Sequence, residues 1–239
     1  MKYIIVLLLA CVMLFYYVIQ EKKMEKEAAQ KQSVQKVISK STSEKKVHLT
    51  PKKKNFIHLV LPAIDNTYKR LEARYYKISQ DMKNHTNQEE IQRLKKKYNA
   101  KSDEDLLARL KPHPVSIVLA QAAMESSWAT SRFTKEANNI FGMWSVNENE
   151  PRIAAGETRD GNRTIWLKKF ETIDDAVQAY YDMIARGGAY QRLRVLRMQY
   201  DNPYKITPGL DKYSEMGADY GNIVNKLIKY NQFTKYDKH

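Results

Sequence analysis

An α+β fold, mainly helical with one small β-hairpin lobe and preceded by a transmembrane helix, is the class predicted by this 239-residue sequence. Three observations predict it. Apolar residues recur at helical spacing from Phe56 onward. Between Pro151 and Phe170 that period gives way to Thr, Ile and Trp around an Asp160-Gly161 turn signal, the pattern of a β-hairpin. Tyr3 to Ile19 is an uninterrupted, charge-free run of seventeen residues.

That run reaches the lower limit for a membrane-spanning helix and is long for the core of a signal peptide. Tyr17-Val18-Ile19-Gln20 offers no small-x-small cleavage site, so residues 1–20 are expected to stay attached as a signal-anchor. Leu8-Leu9-Ala10-Cys11 resembles a lipobox, and lipoprotein processing is the competing expectation, although the apolar run continues well past the cysteine. Over residues 21–54, eleven lysines stand against four glutamates, giving +7, half of the net +14. Such a segment cannot bury enough apolar surface to fold alone, and it predicts a basic stalk.

Residues 55–112 predict a helical region. NFIHLVLPAIDNTYKRLEARYYKISQDMK carries helical spacing, bent or interrupted at Pro62. Asn87-Gln88-Glu89-Glu90 marks a start ahead of IQRLKKKYN, and SDEDLLARL has a cap-and-acid start of its own. Residues 113–237 follow as the second part of the folded region. A helix is expected from about Pro114 to Lys135, with the proline at a first helical position where its missing N–H costs nothing. ANNIFGMW breaks the pattern, the hairpin comes next, and helices are expected over Asp174–Met183 and Ala218–Lys229. A helical body with a hairpin lobe leaves a cleft between the two.

Composition narrows the chemistry. Cys11 is the only cysteine, so no intrachain disulfide or cysteine metal cluster can form. The five histidines lack metal-ligand spacing, and no P-loop, GxGxxG or GxSxG is present, so neither metal nor cofactor is expected. The basic balance favours polyanionic surroundings. Nucleic acid is not the expected partner, because the anchor places the folded part on the wrong side of a membrane.

Glu125 is the anomaly within QAAMESSWATSRF. On one continuous helix it shares a mostly apolar stripe with Val118, Gln121, Ala122, Trp128, Ala129 and Arg132. Burying an unpaired carboxylate is costly and raises its pKa, and a carboxyl protonated near neutrality is a general acid. The alternative is a half-buried Glu125 paired with Arg132. Glycosidases need such an acid and a second carboxylate; the hairpin region offers Glu157 and Asp160, with Glu148 and Glu150 before it. Trp128, Phe141, Trp144, Tyr180, Tyr190 and Tyr213 could stack on sugar rings or fill a core.

AQAAMESSWATSRFTKEANNIFGMW resembles the glucosaminidase domains of glycoside hydrolase family 73, whose pattern reads roughly AQAALESGWGTSRLAxEANNLFGI. The hairpin and the FxTxxDAxxAY pattern follow in the family's order. NFIHLVLPAI and LDKYSEMGADYGNIVNKL look like its Bax-type, membrane-anchored branch. The resemblance covers about Lys53 to Asp237 and implies a lysozyme-like fold, a glucosaminidase catalytic domain over residues 113–237, and hydrolysis of peptidoglycan strands after N-acetylglucosamine. It also implies a single-pass protein of the bacterial cytoplasmic membrane with its catalytic domain outside. Glu125 matches the catalytic acid, Tyr180 a tyrosine near the scissile sugar, and Glu157, thirteen residues before Phe170, the second carboxylate. Asn139, from the NNIFG motif, joins Trp128, Phe141, Trp144, Tyr190 and Tyr213 as expected substrate contacts. Ser127 and Ala129 depart from the pattern, standing where ESGWG has glycines, which implies looser backbone packing there. A lytic transglycosylase and a non-catalytic wall-binding scaffold are the alternative readings.

Overall fold

In the computed structural model the described residues are 49–159 and 163–237, the side chains of 157–159 and 163 excepted. The expected anchor, nearly all of the stalk and the Asp160-Gly161 turn lie outside them. Among the described residues no helix is long and apolar enough to cross a membrane.

The chain from Thr50 onward is mainly helical. Helix α1, Pro51–Lys83, starts inside the expected stalk, with Thr50 Oγ1 accepting from Lys53 N and a proline in its first turn. It passes Pro62 without interruption, so of the two sequence expectations, bent or interrupted, the interruption does not occur. Phe56, Val60, Ile64, Leu71 and Ile78 form a buried stripe at helical spacing. That burial compensates for the one backbone hydrogen bond the proline removes. Helix α2, Gln88–Tyr98, and helix α3, Asp103–Leu110, lie against the far end of α1; Ile91, Leu94, Tyr98, Leu106 and Leu110 cluster there with Ile78. Ser102 caps α3 by accepting from Asp105 N, as its sequence predicts.

Helix α4, Val115–Glu125, is the centre of the fold, and nine of its eleven residues are buried. It stops at Glu125 rather than running on to Lys135. Ser126 closes it, donating from Oγ to Ala122 O at 2.5 Å and accepting from Ala129 N at 2.8 Å. Ser127, Trp128 and Ala129 then take three consecutive left-handed conformations, with φ of 53°, 65° and 60°. Trp128, Ala129 and Arg132 therefore leave the stripe that carries Glu125, and the short helix α5, Arg132–Ala137, starts afresh behind Ser131.

This turn gives glycine at positions 127 and 129 a physical reason in the backbone conformation. Residues with a Cβ lose roughly 1–2 kcal/mol in the left-handed region, while glycine costs about 0.5–1 kcal/mol of extra chain entropy. Replacing both Ser127 and Ala129 with glycine should add about 1 kcal/mol of stability, or roughly 2–4 °C in Tm. Thermal melts of the double variant measure it; an unchanged or lower Tm would show that the turn carries no strain.

Strands β1, Arg152–Arg159, and β2, Arg163–Lys168, form the one antiparallel pair among the described residues. Ala154 faces Trp166 and Thr158 faces Thr164, so residues 155–157 stand opposite Ile165 alone, and Gly156 there has φ of 84°. The pair is bulged. Its base is fastened to the segment after Glu125: Arg132 Nη2 donates to Ala154 O, and Asn138 Nδ2 donates to the carbonyls of Phe170 and Glu171.

Helix α6, Ile173–Arg186, follows, opened by a reciprocal capping box between Thr172 and Asp175. Helix α7, Gln191–Gln199, and the short α8, Pro203–Ile206, lead through a 3₁₀ turn, Thr207–Leu210, to helix α9, Ala218–Asn231. A final 3₁₀ turn spans Phe233–Tyr236. A Cβ on Gly221 would stand 2.5 Å from Thr207 O, so only glycine lets α9 seat this closely on the 207–210 turn. The described residues, 49–159 and 163–237, fall within one compact unit.

Candidate active site

Glu125 is the last residue of α4, and that position matters electrostatically. The C-terminal end of a helix carries partial negative charge, which disfavours a carboxylate. The preceding helix is buried almost throughout. Burial raises the Glu125 pKa from its ordinary value, and a hydrogen bond from Tyr220 pulls partly against it. Tyr220 Oη donates to Glu125 Oε1 at 2.7 Å from the first turn of α9, 95 residues away. Arg132 makes its ion pair with Glu136 instead, at 3.2 Å. Glu125 thus stands at the edge of the core as a carboxyl with a raised affinity for its proton.

The other end of α4 is anchored from a distance. Pro114 provides no side-chain cap. Ser116 N donates instead to Asp237 Oδ1 at 2.7 Å, so a carboxylate 121 residues away occupies the positive end of the helix. Such an interaction stabilises a helix by about 1–2 kcal/mol.

Behind Glu125 a file of buried polar groups crosses the core. Gln121 Nε2 donates to Tyr220 Oη at 3.1 Å, and Tyr180 Oη donates to Gln121 Oε1 at 2.6 Å. His113 Nε2 lies 2.8 Å from Tyr180 Oη, and Arg197 Nη1 lies 3.4 Å from His113 Nδ1. Arg197 also donates to the carbonyls of Ala108 and Arg109. Burial, then the charge of Arg194, brings the Arg197 pKa down to about 9; burial, then Arg197, holds His113 well below its ordinary value. Burial pushes the phenols of Tyr180 and Tyr220 well up.

The expected site residues divide under this geometry. Tyr213, half-buried, stacks on Tyr220 with ring centroids 5.0 Å apart, and Tyr190 stands 6.0 Å from it. Burial, then the charge of Glu125, raises the Tyr213 pKa. Trp144 is exposed and pairs through its backbone with Leu167 of β2. Tyr180 is fully buried and stacked on Phe141 at 4.3 Å, so it stands behind the site rather than in it, and Phe141 is core.

Two more expected contacts have partners within the fold. The partly exposed Trp128 ring packs edge-on against Phe56 at 5.3 Å and beside Phe233, with Lys53 Nζ 4.7 Å from its centre. Asn139 is buried and braces the loop before the hairpin: it accepts from Met143 N and donates to the carbonyls of Met143 and Lys168.

The hairpin carboxylates also separate. Glu150 accepts from Lys168 Nζ and Ser145 Oγ, each at 2.7 Å, and those bonds lower its pKa, marking it as a structural tie. Glu148 is largely exposed, 3.9 Å from Arg152. Glu157 lies on the bulge of β1, its side chain outside the described set, and Asp160 lies outside it entirely. The bulge voids the simple alternation that would assign Glu157 a face by counting along the strand. Among the described residues no cluster of His, Cys, Asp and Glu could hold a metal ion.

Sequence reasoning missed Tyr220, His113 and Arg197 as parts of this system. Gln121 did stand on the predicted stripe one turn before Glu125, which was the available signal.

The model of the glucosaminidase family, described as mannosyl-glycoprotein endo-beta-N-acetylglucosaminidase, matches residues 104–233. Protein bax of Escherichia coli (strain K12) is 29% identical over 201 residues, spanning 77% of this chain and 71% of that protein. The exo-glucosaminidase LytG of Bacillus subtilis (strain 168) is 24% identical over 129 residues, covering 52% of this chain and 46% of LytG. Among solved structures, the catalytic domain of the autolysin Auto from Listeria monocytogenes aligns with a TM-score of 0.46 at 18% identity, covering 83% of this chain and 93% of that one.

Proposed function

From the premise that the chain belongs to the glucosaminidase family, glycoside hydrolase family 73, and is a glycoside hydrolase, we propose that it is a peptidoglycan hydrolase cleaving glycan strands after N-acetylglucosamine as an endo-β-N-acetylglucosaminidase. The observation that carries this reading is Glu125 itself, a carboxyl at the end of a buried helix with its pKa raised by burial and one oxygen held by Tyr220. Such a group delivers a proton to the leaving glycosidic oxygen.

Glu157 is assigned the second carboxylate, orienting water or steadying positive charge on the sugar. With Glu150 tied to Lys168 and Glu148 held out in solvent, Glu157 is favoured over these two. Tyr213, Tyr190 and Trp144 supply ring faces for the sugars. Tyr180 serves the site through Gln121 rather than by contact with substrate. The apolar run Tyr3–Ile19 anchors the protein in the bacterial cytoplasmic membrane, with the catalytic unit outside.

Mass spectrometry of a purified peptidoglycan digest tests the reading. Hydrolysis should leave reducing N-acetylglucosamine ends. Anhydro-sugar ends would make the protein a lytic transglycosylase, and an undigested wall would make it a scaffold.

A further inference from the structure

The five contacts between Arg197 and Glu125 have a direction, and one chemical fact sets it. A guanidinium donates and cannot accept. Arg197 Nη1 therefore gives its hydrogen to His113 Nδ1. His113 is fully buried beside that cation and neutral, so its single ring hydrogen stands on Nε2 and is donated to Tyr180 Oη. The Tyr180 hydrogen goes to Gln121 Oε1, which turns the amide NH₂ toward Tyr220 Oη. The Tyr220 hydrogen is then left for Glu125 Oε1. All five bonds run the same way, and bonds aligned in this manner strengthen one another.

We propose that this buried file is a polarity lock: it holds Tyr220 as a donor toward Glu125, so Oε1 always accepts and the transferable proton of the acid sits on Oε2. Without the lock, Gln121 can turn its carbonyl oxygen to Tyr220. Tyr220 would then donate to Gln121 and accept a hydrogen from Glu125 Oε1, tying up the proton that the substrate needs. The protonated carboxyl would be favoured and its delivery slowed. His113, Tyr180 and Gln121 are thus positioning residues, acting on the reaction through Tyr220. The inference rests on Glu125 being the acid.

The titratable groups around the file are few in kind. Glu125 is faced by Tyr220 of α9 and Tyr213 of the segment before it. His113 is faced by Tyr180 and Tyr181 of α6 and by Arg197 of α7. Arg197 feels Arg194, and Tyr181 feels Tyr68 and Asp237. Tyr190 adds its influence on Tyr180 and Tyr213.

Carboxyl ¹³C NMR on the full chain, with Glu125 assigned by its missing signal in Glu125→Gln, tests the lock directly. Tyr180→Phe and His113→Leu should each raise the Glu125 titration midpoint by about half a unit, on the scale of one rearranged hydrogen bond. The high-pH limb of kcat/KM should move with it, and the plateau should fall severalfold. His113→Gln, which can still donate toward Tyr180 and accept from Arg197, should restore the wild-type midpoint. Tyr180→Phe keeps the ring on Phe141 and carries the test if His113→Leu does not fold. A Glu125 midpoint identical in wild type and Tyr180→Phe overturns the proposal. Full activity in Glu125→Gln would instead remove the catalytic reading, while the NMR comparison would still decide whether the file controls Glu125.

Discussion

Glu125→Gln is expected to fold normally and to lose peptidoglycan hydrolysis by roughly 10²–10⁴-fold, the usual worth of a general acid. Glutamine keeps the shape and can still accept from Tyr220, but it has no proton to transfer. The same variant should be more stable than the wild type, with a definite pH dependence. Burial raises the folded pKa of Glu125 above its ordinary 4.5, so the folded protein holds that proton more tightly than the unfolded chain does. The contribution of the acid form to stability is complete below about 4.5 and is lost as pH rises through the folded value. Melts from acid to neutral pH should therefore show the advantage of Glu125→Gln growing with pH. Wild-type digestion rates in the purified variant would end the assignment. A stability difference that is flat with pH would mean that the carboxyl is not desolvated.

Glu157→Ala is expected to lower turnover at least tenfold, about 1.4 kcal/mol of transition-state stabilisation, and less than Glu125→Gln does. Binding to isolated wall should change little, because the residue acts on water or on developing charge. The bulge at 155–157 supports the choice, since bulges occur beside active sites and re-aim a side chain. Its neighbours provide the controls. Glu150→Ala breaks the tie to Lys168 and Ser145, so its effect should appear in stability, while Glu148→Ala should be silent. Turnover of Glu157→Ala within twofold of wild type, with a collapse in either control, would transfer the role to that neighbour.

Some of this molecule was legible in its residues and some was not, for identifiable reasons. The setting of Glu125 at the edge of the core was legible because its neighbours on the helix are apolar. The hairpin and helix α3 were legible because turn and cap residues act locally. The end of α4 was misplaced because left-handed turns are usually written with glycine, and here Ser127, Trp128 and Ala129 adopt them instead. Tyr220 stayed hidden because its partner lies 95 residues away and a tyrosine in a helical pattern looks like core. Helix α7 went unread because QRLRVLRMQ buries two arginines, Arg194 and Arg197, which hydropathy places outside. Asn139 was read as a contact because it belongs to the motif, and a motif does not separate residues that touch a ligand from those that hold its frame.

The capping of α4 by Asp237 also bears on how the protein is made. Translation delivers Glu125 long before Tyr220, and Asp237 later still. Trp128, just after the acid, likewise waits for Phe233, and Lys53 near the start of α1 waits for Asn231. Contacts across such separations close late and slow folding. A nascent chain that stops short of α9 therefore carries Glu125 without its hydrogen-bond donor and the central helix without its cap. The surroundings of Glu125 are therefore complete only once synthesis has passed Asp237.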